Sequence, residues 1–122
     1  MSYPISDPLN HVSEQCLRDC YAWCPELADE SPEKQIVHFT LGMAGEVGEV
    51  VELIKKWQGG RPGYDINDAK LRDRIAEEIV DVIQYAGDLA AYLKLDLDDA
   101  LSKKRGLNAK RFLGAPFKDT KP

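Results

Sequence analysis

No stretch of this 122-residue chain approaches the roughly 20 consecutive apolar residues that a membrane-spanning helix needs. The N-terminal segment MSYPISDPLN lacks both the basic and the apolar parts of a signal peptide, so a cytoplasmic protein is expected. Basic residues are in the minority, 16 against 21 acidic ones for a formal charge of -5, and no basic run is long enough to form a duplex-binding surface. That argues against a nucleic-acid polymer as partner and leaves room for a small phosphorylated ligand. The chain has only three cysteines, Cys16, Cys20 and Cys24, spaced i, i+4, i+8. Adjacent turns of one helix do not suit a disulfide, and no nearby Cys or His completes a zinc set, so packing is their expected role. Residues of strand character cluster nowhere, and no repeat or low-complexity segment is present.

What remains is four helical blocks separated by short breaks, an all-α bundle in a single domain over residues 1–122, with a core about 32–112 and an irregular tail 113–122. The first block runs from about Asn10 to Cys24, with Val12, Cys16, Leu17, Cys20 and Trp23 on its apolar side. Ser31 and Pro32 form a cap and first-turn proline that open the second, which ends at Gln58-Gly59-Gly60. Its expected seam is Ile36, Thr40, Met43, Val47, Val50, Ile54 and Trp57, in alternating steps of four and three. The turn-rich GGRPGYDIND follows, with Asn67 or Asp68 capping a third helix whose seam is Ile75, Ile79, Val82, Ala86, Leu89 and Leu93. A fourth helix starts near Asp96 and fades into GAPFKDTKP, whose prolines oppose further helix.

Two acid pairs carry the chemistry. Glu46 and Glu49, and Glu78 and Asp81, are each three residues apart, so each pair points two carboxylates from one helix face. In an antiparallel hairpin the first pair lies roughly nine residues before the loop and the second roughly twelve after it, a height difference of about one turn. The pairs can therefore face each other. Four convergent carboxylates repel unless a cation neutralises them, and oxygen-only ligands favour magnesium or manganese. A di-iron bundle would need Glu-x-x-His, and neither His11 nor His38 follows a glutamate by three. The usual task of such an ion is to neutralise phosphate oxygens and to activate a water for attack at phosphorus. Gly45 and Gly48, inside the same helix, suggest a close helix approach.

Phosphates need cationic donors. On the fourth helix Leu97, Leu101, Lys104, Asn108 and Arg111 share one stripe that begins apolar and ends basic. A nucleobase needs an aromatic wall; Tyr85 lies one turn beyond Asp81 on the acid face, and Trp57 ends the second helix.

LGMAGEVGEVVELIKKW, EEIVDVIQY and KRGLNAKRF together resemble the MazG-type nucleotide pyrophosphohydrolases of the all-α NTP pyrophosphatase superfamily, over roughly Gln35 to Phe112. The resemblance implies hydrolysis of a nucleoside triphosphate, commonly a dNTP, to the monophosphate and pyrophosphate. It implies magnesium on Glu46, Glu49, Glu78 and Asp81, phosphate contacts from Lys104, Asn108 and Arg111, and base contacts from Tyr85 and Trp57. It also implies a homodimer or homotetramer with the pocket near the subunit interface. Glu49 is the expected general base. The alternatives are a phosphoribosyl-ATP pyrophosphatase and a non-catalytic helical metal-binding or interaction module.

Overall fold

The structure, a computed structural model, describes residues 8–114. Its elements are α1 (Pro8–Trp23), a 3-10 turn (Pro25–Asp29), α2 (Pro32–Gln58), α3 (Ala69–Tyr92) and α4 (Leu97–Leu113). The described residues contain no strand, so the fold is all-α as expected. Most of the tail expected to be irregular, residues 115–122, lies outside the described residues. No helix among them is long and apolar enough to cross a membrane.

Local chemistry fixes the two long helices. The Ser31 side chain accepts from the Lys34 N–H at 3.3 Å and Pro32 occupies the first turn, which starts α2 where the sequence predicts. After Gln58, positive φ at Gly60 (70°) and Gly63 (86°) turns the chain back. Asp68 stands at the N-cap of α3, although its side chain makes no cap bond.

α1 begins two residues earlier than expected, because its cap comes from across the fold. Asp98 of α4 accepts from the backbone N–H groups of Leu9 (3.1 Å) and Asn10 (3.0 Å), placing a carboxylate at the positive end of α1. In return Asn10 Oδ1 accepts from the Leu97 N–H at 2.8 Å, and its Nδ2 donates to Asp96 at 2.9 Å. Each helix thus closes the other's start.

α3 packs on both α2 and α1, and α4 has its main contacts with α1. The core comprises Cys16, Leu27, Phe39, Leu53, Leu71 and Ala90. The inward stripe of α2 is not the expected seam but lies one residue earlier, through Gln35, Phe39 and Leu53; Thr40, Val47 and Trp57 are exposed. The stripe begins with a buried polar residue. Gln35 Nε2 donates to the Glu30 carbonyl at 2.9 Å and its Oε1 accepts from Tyr21 at 2.5 Å, tying the 3-10 turn to α2. On α3, Ile79 and Leu93 of the expected seam are exposed, while Gly87, Asp88 and Ala90 are buried. On α1, Val12 and Trp23 are exposed, and Ser13 joins Cys16 inside.

At Gly87 α1 and α3 approach closely. A Cβ there would lie 3.0 Å from Cys16 Sγ and 3.1 Å from Cys16 Cβ. Gly87→Val should therefore cost about 1–3 kcal/mol through overpacking, read as a lower denaturation midpoint in urea. A midpoint equal to wild type would show that the two helices are not held at this distance.

Candidate active site

The antiparallel α2–α3 hairpin brings Glu46 of α2 together with Glu78 and Asp81 of α3, one carboxylate oxygen from each lying within 4.8 Å of the others. The carboxyl group of Glu46 is raised above the ordinary range, first by a hydrogen bond with Glu78, then by burial and by the charges of Asp81, Glu78 and Glu49. Glu46 thus resists ionisation beside its two neighbours, and an oxygen-only donor set of this kind fits a hard divalent cation. Glu49 is exposed and contributes no oxygen to the triad, although its charge is felt by Glu46. Gly45 and Gly48 face open space and mediate no close approach; that role belongs to Gly42, where an added Cβ would overlap the Tyr85 ring.

A pocket of about 400 Å³ opens beside the acids, bounded by α1, the 3-10 turn, α2 and α3. Glu46 and Asp81 are part of its polar lining, and Tyr85, His38 and Trp23 supply its aromatic lining. Tyr85 is seated over Gly42 and meets His38 edge-on at 6.1 Å and 66°. Burial raises its phenol, and the charge of Glu46 adds to the shift. Cys20, Gln84 and Asp88 complete the lining.

Asp88 is 1 % exposed. It accepts from Gln84 Nε2 at 3.0 Å, and the same Nε2 donates to the Cys16 carbonyl at 2.8 Å. Burial pushes the Asp88 carboxyl up to about 7, against the lowering effect of hydrogen bonds from Gln84 and Cys20. Burial, followed by the charge of Asp88, pushes the Cys20 thiol up to about 11, which makes it a poor nucleophile.

The remaining predicted residues lie elsewhere within the chain. Lys104 and Arg111 are exposed on α4 and Asn108 is half-buried; none lines the pocket, and the Arg111 guanidinium sits 5.1 Å from the Phe112 ring centroid. Trp57, 40 % exposed in the last turn of α2, does not line it either. Near the hairpin loop, Lys56, Arg61 and Arg74 surround the Tyr64 ring at 5.4, 5.7 and 5.6 Å.

Sequence reasoning did not single out Asp88, Gln84 or Cys20 for the pocket. A signal was available for Asp88. It follows Asp81 by seven residues, two helical turns on one face, and is the only charged residue between Asp81 and Lys94. A lone carboxylate on the acid-bearing face of so apolar a run is a candidate for burial, and once buried it needs internal partners.

The chain is similar to dCTP pyrophosphatase 1 of Bos taurus, 31% identical over 114 residues that make up 91% of this chain and 68% of the relative. Similar too are the Rattus norvegicus protein of that name, 32% identical over 86% of this chain and 64% of the relative, and the Homo sapiens one, 36% identical over 59% and 42%. The chain thus spans about two thirds of the length of the bovine and rat relatives. No family model matches it, and no solved structure matches it.

Proposed function

The chain belongs to the MazG-like all-α family of nucleotide pyrophosphohydrolases, enzymes acting on acid anhydrides, and from that premise we propose that it converts a (d)NTP and water to the (d)NMP and pyrophosphate in control of the cytoplasmic nucleotide pool. The observation that carries this is the Glu46–Glu78–Asp81 triad, two of whose members line a pocket of about 400 Å³, a volume suited to a nucleoside. The names of the relatives make dCTP the first substrate to test.

Glu46, Glu78 and Asp81 would hold magnesium, or manganese in its place. The ion supplies charge neutralisation on the triphosphate and a lowered pKa for a water. Glu49, outside the triad and exposed, is free to orient that water and take its proton as it attacks the α-phosphorus, with pyrophosphate leaving. Tyr85 lines the nucleoside pocket, and its ring is held in place by the close approach of Gly42.

Lys104, Asn108 and Arg111 would offset charge on the phosphates, with Trp57 at the base, when a second copy supplies them. Two features support assembly. α4 leans on α1 rather than on the acid-bearing hairpin. The hairpin also exposes a second apolar face, Val37, Leu41 and Val51 on α2 with Val80 and Ile83 on α3. An apolar patch of this kind marks an interaction surface, and we assign it to a homodimer or a dimer of dimers.

Hydrolysis of dCTP in isotopically labelled water with magnesium tests the bond cleaved. Attack at the α-phosphorus places the label in the monophosphate. Label in pyrophosphate, or release of orthophosphate, would overturn the proposal.

A further inference from the structure

Around Asp88 the pocket lining has a hydrogen-bond polarity that no part of the phosphate chemistry uses. Both N–H groups of the Gln84 amide are committed, one to the Cys16 carbonyl at 2.8 Å and one to Asp88 Oδ1 at 3.0 Å. Cys20 also directs its hydrogen bond at Asp88. The donors around Asp88 are therefore turned toward it, and in its ionised form the carboxylate has only acceptor capacity left to offer a ligand. Its position is suited to a nucleotide. Asp88 follows Asp81 by seven residues, about 10 Å along α3, comparable to the reach from a nucleotide's α-phosphate to the far edge of its base. Both acids line the same pocket, with Tyr85 on the wall between them.

We propose that Asp88, positioned by Gln84 and Cys20, accepts a hydrogen bond from the exocyclic amino group of a pyrimidine and so makes the pocket select 4-amino over 4-oxo pyrimidine nucleotides. This rests on the nucleotide reading above and adds the residue that sets the base. A carboxylate accepting from the N4 amino group is the usual pairing of an acidic side chain with cytosine. A uracil or thymine in the same seat would turn its O4 acceptor toward an acceptor, leaving the buried carboxylate without a new donor. Burial raises the Asp88 carboxyl to about 7, so an arriving donor would also stabilise its ionised form.

The experiment is steady-state hydrolysis of dCTP and dUTP with magnesium by the full chain and its Asp88→Ala and Asp88→Asn variants, with calorimetric binding of dCMP and dUMP as a readout independent of turnover. Asp88→Ala should lower kcat/KM for dCTP about 10–100-fold, the size of a hydrogen bond to a charged group, mostly through KM. It should leave kcat/KM for dUTP equal or higher, because the acceptor opposed to O4 is gone, so that the preference collapses. Asp88→Asn keeps one carbonyl acceptor and the shape of the side chain, and should restore part of the preference. Equal losses on both substrates, with dCMP and dUMP binding weakened alike, would reduce Asp88 to a structural role and overturn the proposal; so would an unchanged ratio. Wild-type protein that hydrolyses no nucleotide would defeat the parent reading and this one together, whereas wild-type turnover with an unmoved ratio would defeat this one alone.

Discussion

Glu78→Gln should lower metal-dependent pyrophosphate release by more than about 100-fold while the protein stays folded. Residues that merely hold a metal ligand in place already cost about 10–100-fold when removed, and Glu78 is assigned as a ligand itself. Glutamine preserves the shape and can still hydrogen-bond to Glu46. It removes one of the charges that raise the Glu46 carboxyl, so it relieves repulsion instead of adding strain. The melting temperature without metal should therefore equal or slightly exceed that of wild type, and the increment that magnesium adds to it should shrink. Turnover that persists in the variant would show that the acids do not form the metal site.

Phe39→Ala has the largest expected effect on stability. Phe39 is 0 % exposed and meets Tyr92 at 6.0 Å and 60° and His38 at 5.7 Å and 73°. Removing a buried phenylalanine costs about 3–5 kcal/mol from lost transfer energy and the cavity left behind, out of the roughly 5–15 kcal/mol that holds such a domain together. His38 joins this cluster to Tyr85 and the pocket wall, so activity should fall along with stability. Equilibrium urea denaturation reads the loss; a change below about 1 kcal/mol, well under the usual cost, would mean that the α2–α3 contact does not depend on this ring.

The sequence was most legible where the cause of structure is local. Ser31, Pro32, Gly59 and Gly60 set the ends of α2, and the two acid pairs on adjacent helices announced a convergence that three of the four residues achieve. It was less legible where distant segments decide. The start of α1 depends on Asp98, 89 residues from Leu9. The seam of α2 is displaced on a helix with apolar residues on two of its sides, and the buried stripe includes Gln35, a polar residue that a hydrophobic periodicity scores as exposed. The same bias hid Asp88, whose burial is satisfied by Gln84 and Cys20. Gly45 and Gly48 looked like a packing surface, yet the glycine that packs is Gly42. Lys104, Asn108 and Arg111 share a helix face as expected, but helix periodicity says nothing of which neighbour, or which copy, that face meets.

Phosphorus NMR of the full chain mixed with dCTP and magnesium reads the products of the proposed reaction. dCMP and pyrophosphate should appear in equal amounts with no orthophosphate, and both signals should be lost on chelation of the metal or in Glu78→Gln. Orthophosphate as the product, or turnover that survives chelation, would contradict that reaction.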